Sequence, residues 1–264
     1  ISLILFVRDS WSAKKEHAVW GPVHASLDIL VPTFDEPGSI LEPTIIGATL
    51  VHGDTTVWVL DDGDREWVRE LAKQHGVNYV TRPTHEFAKA GNLNHALPLL
   101  RGDFMLVLDA DHVPQPEIGE ELLGYFVDDR VAVVQSPHGF RNLDSVQHFD
   151  HRINEQSLFF DVLLPGRGRS SAVFWCGSGA IIRTRALRGI GGLSTRTITE
   201  DLETSIALQR AGWKIVYHNQ VLLQGLAPHN LESFLIQRYR WARGTLQVLL
   251  SKGSPIFGRN FRLG

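Results

Sequence analysis

The chain has 264 residues, 43% of them hydrophobic and 21% charged, and a net charge of −3. That length buries a large core as one domain or a fused pair, and the charge makes no case for nucleic acid or an anionic surface as partner. A single cysteine, Cys176, excludes an intrachain disulfide framework and fits a reducing compartment.

No apolar run reaches the ~18 residues of a spanning helix. The chain opens on Ile1–Val7, which reads either as a core strand or as the stub of a severed membrane helix. Ser10 to Ala25, with Trp11 and Trp20, reads as a lead-in. Leu27–Val31 is the first strand, and Pro32 stops it. Thr33 to Gly38 is a turn, and Ile40–Leu50 is a helix with Pro43 near its start. Thr55–Leu60 is the second strand and runs into Asp61 and Asp62. The helix Arg65–Gln74 follows, closed by His75-Gly76, then the strand Val77–Val80. Strands alternating with helices predict an α/β fold with a parallel sheet.

Ala88–Leu97 (AKAGNLNHAL) places a glycine just after a lysine, with a helix beginning beyond it. Glycine there lets backbone approach a ligand, and Lys89 reads either as a point charge for a phosphate or as an exposed lysine at a helix start. Phe104–Leu108 is a strand buried on both faces. It ends in Asp109-Ala110-Asp111, and strand alternation points the two carboxylates the same way. A hard divalent ion completed by substrate phosphates fits that pair, while a solvated loop accounts for it equally well. Ligands bind at the carboxyl ends of parallel strands, and three such ends here carry acid: Asp35/Glu36, Asp61/Asp62 and Asp109/Asp111. There is no GxxxxGK[ST], and no GxGxxG follows a strand, which argues against a P-loop and a dinucleotide dehydrogenase.

Pro116–Val127 reads as a helix, Val131–Val134 as a strand and Asn142–Leu164 as a long helical stretch. Gly166–Ser170 is a basic loop that divides a nucleotide half (27–165) from a second half (166–250). Cys176, between an aromatic pair and Gly-Ser-Gly, is either a small core residue or part of a sugar site. Ala180–Arg183 is a strand. Thr197–Ala211 is a helix with capping-box spacing between Thr197 and Glu200; Glu200 and Asp201 either complement its dipole or supply a base. Lys214–Tyr217 is a strand. Leu231–Leu250 is the last helix, with Gln237, Arg240 and Trp241 on one face. That stripe suits a diphosphate and a sugar ring, and the helix is apolar enough to lie on a membrane, a partner or a core.

Asp61–Gly63 (DDG), Asp109–Asp111 (DAD), Thr199–Asp201 (TED) and Gln237–Trp241 (QRYRW) occur in one order. They resemble the D, DxD, TED and QxxRW signatures of processive family 2 glycosyltransferases. Ala88–Asn94 and Phe174–Ser178 resemble the matching segments of bacterial cellulose synthase catalytic subunits, and the likeness covers most of Asp28 to Leu250. Two positions depart from the pattern: Phe87 stands where His is common, and Phe34 stands where the first turn has Tyr, a loss on the order of 1 kcal/mol for one hydrogen bond.

The resemblance implies a GT-A fold, Rossmann-like and mostly parallel, with a C-terminal amphipathic interface helix. It implies transfer of glucose from UDP-glucose to a β-1,4-glucan acceptor with inversion. Asp109, Asp111 and His112 would hold Mg²⁺, with Mn²⁺ as the other candidate. Thr33, Phe34, Glu36, Asp61, Asp62, Lys89, Asp109, Gln237 and Arg240 would bind the nucleotide. Asp201 would be the general base, although the residues themselves leave Glu200 equally open. Cys176 and Trp241 would bind the acceptor. The family's pore-forming helices, gating loop and cyclic-di-GMP-binding domain are not in this sequence. It therefore reads as a soluble cytosolic catalytic domain from the cytoplasmic face of the inner membrane, with 1–26 and 251–264 as membrane-proximal stubs. A membrane channel segment and accessory synthase subunits would be its partners. The other readings are a family 2 synthase for mannan, chitin, hyaluronan or mixed-linkage glucan, and a non-catalytic nucleotide-sugar-binding scaffold in an export complex.

Overall fold

A computed structural model describes residues 25–150, 153–168 and 172–251. The segments 1–24 and 252–264 lie outside it, and with them Ile1–Val7, Trp11, Trp20 and most of the two expected stubs. Among the described residues no helix is long and apolar enough to cross a membrane.

Ten strands, numbered in chain order, form two sheets among the described residues. The larger contains β1 (Ser26–Thr33), β2 (Asp54–Asp61), β3 (Asn78–Val80), β4 (Phe104–Val107), β6 (Val131–Gln135), β8 (Ala180–Arg183) and β9 (Lys214–Tyr217). Its order is β3-β2-β1-β4-β8-β6-β9. Only β8 runs against its neighbours. The smaller sheet is β5 (Val113–Pro114), β10 (Leu223–Gly225) and β7 (Gly139–Phe140), in that order. The helices are α1 (Gly38–Thr49), α2 (Glu66–Gln74), α3 (Ala88–Ala96), α4 (Ile118–Leu123), α5 (Leu164–Gly168), α6 (Thr184–Gly189), α7 (Glu200–Arg210) and α8 (Leu231–Leu250).

The apolar runs Ile29–Val31 of β1 and Phe104–Val107 of β4 follow from burial on both sheet faces. Ile29, Val31, Leu106 and Leu108 pack on one face with Leu41 and Ile45 of α1, Val68 of α2 and Ile118 of α4. Leu30, Met105 and Val107 pack on the other with Leu93 of α3, Leu187 of α6 and Leu208 of α7. Each fully buried Leu in these layers contributes about 1.5–3 kcal/mol. The result is a rigid α/β sandwich whose β1, β2, β4 and β6 all end on one edge.

Several expectations change. The stretch Asn142–Leu164 is not a continuous helix. Asn142 Nδ2 donates to the Ala227 carbonyl at 2.7 Å and Ser145 Oγ to that of Pro228 at 2.7 Å. Such side-chain bonds compete with helix formation. Among its described residues Leu158–Leu163 winds as a π-helix before α5. Gly166 to Gly168 belong to α5 rather than to a loop, and 169–171 lie outside the described residues. Helix α1 starts at Gly38, so Pro43 sits in its second turn; exposed Ser39 leaves to water the carbonyl that Pro43 cannot pair. Pro116–Val127 is helical only from Ile118, and its last turn, Gly124–Val127, is a 3₁₀ turn. Helix α7 starts at Glu200, and Thr197 Oγ1 donates to Glu203 Oε2 at 3.2 Å, so no capping box forms. By contrast α8 keeps the expected bounds, and Asn230 Oδ1 accepts from Ser233 N–H at 2.9 Å to cap it.

Candidate active site

A cavity of about 530 Å³ opens at the carboxyl edge of the large sheet. Its first wall is the β1 turn. Glu36 Oε2 accepts from Thr33 Oγ1 at 2.6 Å and from the Phe34 N–H at 2.9 Å. That curls the turn and leaves the Phe34 ring 56% exposed at the rim. Thr33, Phe34 and Glu36 all line the cavity.

The two acids after β2 part company. Asp62 lines the cavity, clasped by Arg82 through Nε to Oδ1 at 2.6 Å and Nη2 to Oδ2 at 2.7 Å. Asp61 does not line it; its side chain is 0% exposed. Its carboxylate accepts from Arg65 N–H and Nε, from Gly63 N–H and from Tyr79 Oη. Arg65 Nη2 in turn donates to Thr33 Oγ1 at 2.8 Å. Asp61 thus anchors the wall from behind, with every oxygen already used, and a direct nucleotide contact is not available to it.

The turn after β4 forms the floor. The strand ends at Val107, and the His112 N–H donates to the Asp109 carbonyl at 2.9 Å. A reverse turn, not strand alternation, therefore brings Asp109 and Asp111 together. Ligand atoms of Asp109, Asp111 and His112 all lie within 4.8 Å of one another. Ser178 Oγ ties the turn down: it accepts from the Asp109 N–H at 2.9 Å and lies 2.6 Å from His112 Nδ1. Asp111 accepts from the Leu226 N–H at 3.1 Å.

The charges on this floor are unevenly compensated. Lys89 pairs with Asp109 and donates to the Gly177 carbonyl at 2.7 Å. Burial works to raise the Asp109 carboxyl, but Lys89 and His112 outweigh it and hold it at about 2. Burial works to lower the Lys89 ammonium, and Asp109 and Glu200 reverse that to a net rise. Among the described residues no cation pairs with Asp111, and burial followed by repulsion from Asp109 pushes it up to about 6. Two carboxylates, one under-compensated, beside an imidazole are a donor set that fits Mn²⁺ or Mg²⁺.

The far wall comes from the second half of the chain. Asp201, in the first turn of α7, accepts from the Leu202 N–H at 2.8 Å. Burial and then Glu200 push its carboxyl up to about 7. Gly177 separates it from Lys89: a Cβ built there would stand 3.2 Å from Asp201 Oδ2 and 3.8 Å from Lys89 Nζ. Cys176 lines the same wall, and burial holds its thiol well above the usual range. Gln237, Arg240 and Trp241 of α8 close the cavity, so the expected stripe faces it.

His138 and Gln156 also line the cavity. His138 follows β6, on the same carboxyl edge, so the strand-end rule points to it. Its Nε2 donates to the Ser178 carbonyl at 2.9 Å, and burial followed by His112 lowers it to about 4. Gln156 lines the cavity from irregular structure with no period to flag it. Arg238, on α8, does not line the cavity but supports two residues that do. Arg238 donates to Gln237 Oε1 at 3.1 Å and stacks 4.3 Å over the Trp241 ring. Gly91 does not serve ligand approach, and the helix begins before it, at Ala88. A Cβ there would stand 2.0 Å from the Glu86 carbonyl oxygen.

A mostly parallel sheet with an acidic turn at its carboxyl edge, faced by a half-buried carboxylate, has the architecture of the GT-A glycosyltransferases. The mannosyltransferase PcManGT from Pyrobaculum calidifontis, in complex with GDP-Man and Mn²⁺, matches 96% of this chain and 73% of its own, with a TM-score of 0.73 at 19% identity. Glucosyl-3-phosphoglycerate synthase from Mycobacterium tuberculosis, in complex with Mn²⁺, UDP and glucosyl-3-phosphoglycerate, matches 95% of this chain and 84% of its own, with a TM-score of 0.57 at 17% identity. The chain belongs to the glycosyltransferase-like family 2, whose profile matches residues 24–244. It is 37% identical over 249 residues to the cellulose synthase catalytic subunit [UDP-forming] of Xanthomonas axonopodis pv. citri, covering 90% of this chain and 34% of that protein. The chain thus spans about a third of the length of that relative.

Proposed function

We propose that this chain transfers glucose from UDP-glucose to the hydroxyl of a β-1,4-glucan, inverting the anomeric carbon. One observation carries the reading. Asp109, Asp111, Lys89, Asp201 and Arg240, drawn from opposite ends of the chain, line one cavity, and that cavity falls in the size range of small-molecule sites. Relatives at 37% and 38% identity are UDP-forming cellulose synthase catalytic subunits.

Asp109, Asp111 and His112 would hold the divalent ion, Mg²⁺ by this reading, which when bound acts as a Lewis acid toward the diphosphate. Thr33, Phe34, Glu36 and Asp62 would bind the nucleoside end, with Phe34 offering a flat ring. Asp201 Oδ2 would take the proton from the acceptor hydroxyl as that oxygen attacks the anomeric carbon. The bond from that carbon to the UDP oxygen breaks on the opposite side. Lys89 and Arg240 would meet the charge that develops on the departing diphosphate, with Gln237 beside them. A base poised near pH 7 suits this step. Cys176 and Trp241 would seat the terminal sugar, Trp241 held flat by Arg238. On the same reading residues 27–165 carry donor binding and 166–250 acceptor binding. The protein would work at the cytoplasmic membrane face beside a channel segment and accessory subunits.

The test is transfer from UDP-glucose to a cello-oligosaccharide under single-turnover conditions, with the product's linkage read by proton NMR. A β-linked glucosyl unit is expected, and an α-linked one would overturn the mechanism.

A further inference from the structure

We propose that Arg82 is a positioning residue that aims Lys89 into the cavity. The inference rests on the role proposed above for Lys89 at the diphosphate.

Lys89 stands just after a backbone conformation that L-residues avoid. Phe87 has φ 62° and Ala88 has φ 43°, two consecutive left-handed residues that are not glycine. Among the described residues Asp64 is the one other non-glycine residue with positive φ, and it stands alone. Strain of this kind persists only where the surroundings hold it in place, and it gathers at functional sites. Here two backbone bonds, Ala88 N–H to the His85 carbonyl at 3.3 Å and Gly91 N–H to the Phe87 carbonyl at 3.1 Å, act together with one side chain. Arg82 is 8% exposed. Its Nη1 donates to the Glu86 carbonyl at 2.7 Å and its Nη2 to the Ala88 carbonyl at 3.0 Å. These two carbonyls bracket the left-handed pair. The rest of the guanidinium fork is fixed on Asp62, itself 5% exposed.

The space around the fork is closed. A Cβ at Gly91 would stand 2.0 Å from the Glu86 oxygen and 2.4 Å from Arg82 Nη1. The turn, the guanidinium and the first turn of α3 are therefore stacked without slack. From that start the Lys89 ammonium reaches Asp109 and the Gly177 carbonyl. A planar five-donor fork fits four oxygens in this arrangement, and a lysine at 82 does not. Arg82 does not itself line the cavity, but it bonds Asp62 and Ala88, which do. It joins the acid at the proposed nucleoside end to the cation at the proposed diphosphate end.

The test is a double-mutant cycle on UDP affinity, measured by calorimetry with Mn²⁺ present, with thermal melts on every variant. Lys89→Met is expected to weaken UDP binding about 10-fold or more. Arg82→Lys is expected to weaken it about as much in the parent chain but less than 2-fold in the Lys89→Met background. Equal losses in both backgrounds would mean a general structural role and would overturn the inference while leaving the Lys89 role intact. Unchanged UDP affinity in Lys89→Met would instead sink the diphosphate reading. Should Arg82→Lys fail to fold, Gly91→Ala replaces it. That variant keeps Arg82 and displaces the same turn, and the same cycle with Lys89→Met decides: coupled losses support the positioning role and additive losses reject it.

Discussion

Replacing Asp201 by Asn should make the chain more stable at pH 8 and inactive in transfer. The stability effect follows from the folded environment of the carboxyl. Burial, then the like charge of Glu200, raise it from 3.8 to about 7. A raised carboxyl favours the proton-bound form in the folded state. The folded chain thus holds a proton between pH 4 and 7 that the unfolded chain has released, so stability falls as pH rises across that window. Above pH 7 the full penalty stands. Each tenfold change in proton affinity corresponds to ~1.4 kcal/mol, which sets a ceiling of about 4 kcal/mol. Asp201 is half-buried, and solvent screening reduces this to about 1–2 kcal/mol. For a domain of this size that corresponds to a rise in Tm of about 3–6 °C. The assay is thermal denaturation of parent and Asp201→Asn chains at pH 4, 6 and 8 without nucleotide or metal. The gap should be near zero at pH 4 and widest at pH 8. A variant no more stable than the parent at pH 8 would refute the reasoning. Transfer should fall by about 10²- to 10⁴-fold, the usual contribution of a positioned base, while UDP binding persists.

Three more outcomes follow. Asp111→Ala should abolish the metal-dependent part of UDP affinity, read as the difference between titrations with Mn²⁺ and with chelator; an unchanged difference would remove Asp111 from the ion site. Gly177→Ala meets φ 84° and a Cβ 3.2 Å from Asp201 Oδ2. It should lower stability by about 1–2 kcal/mol and reduce transfer more than UDP affinity, checked by melts and calorimetry in parallel. Asp61→Asn should destabilise by about 2–3 kcal/mol, because Arg65 would keep a buried charge without its partner; a denaturant midpoint equal to the parent's would contradict its anchoring role.

Much of the sheet was legible because burial on both faces leaves an unmistakable record. The runs Ile29–Val31 and Phe104–Leu108 hold no polar residue that a solvated face would need, while the neighbouring Asp28 is buried and accepts from Trp58 Nε1 at 2.7 Å and the Gly102 N–H at 2.6 Å. Ala180–Arg183, Lys214–Tyr217 and Leu231–Leu250 appear with the expected bounds. Polar segments were less legible. Asn142 and Ser145 look compatible with a helix until their side chains bond to a chain segment more than 80 residues away. The two-residue strands β5 and β7 are too short to show any period. Gly91 was assigned to a ligand because nothing local reveals that the Glu86 carbonyl stands over it. For the site, residues on strand ends and on one helix face could be placed by geometry alone. Asp61 and Asp62 could not be told apart, since what separates them is which arginine each one meets: Arg65, four residues on and behind the wall, or Arg82, twenty residues on and beside the cavity.

Calorimetry of UDP-glucose, UDP-N-acetylglucosamine and GDP-mannose, each with and without Mg²⁺ or Mn²⁺, bears most directly on whether this cavity is a donor site. UDP-glucose should bind most tightly, only with a divalent ion, and Asp111→Ala should erase that preference for metal. Metal-independent binding, or tighter binding of GDP-mannose, would contradict it.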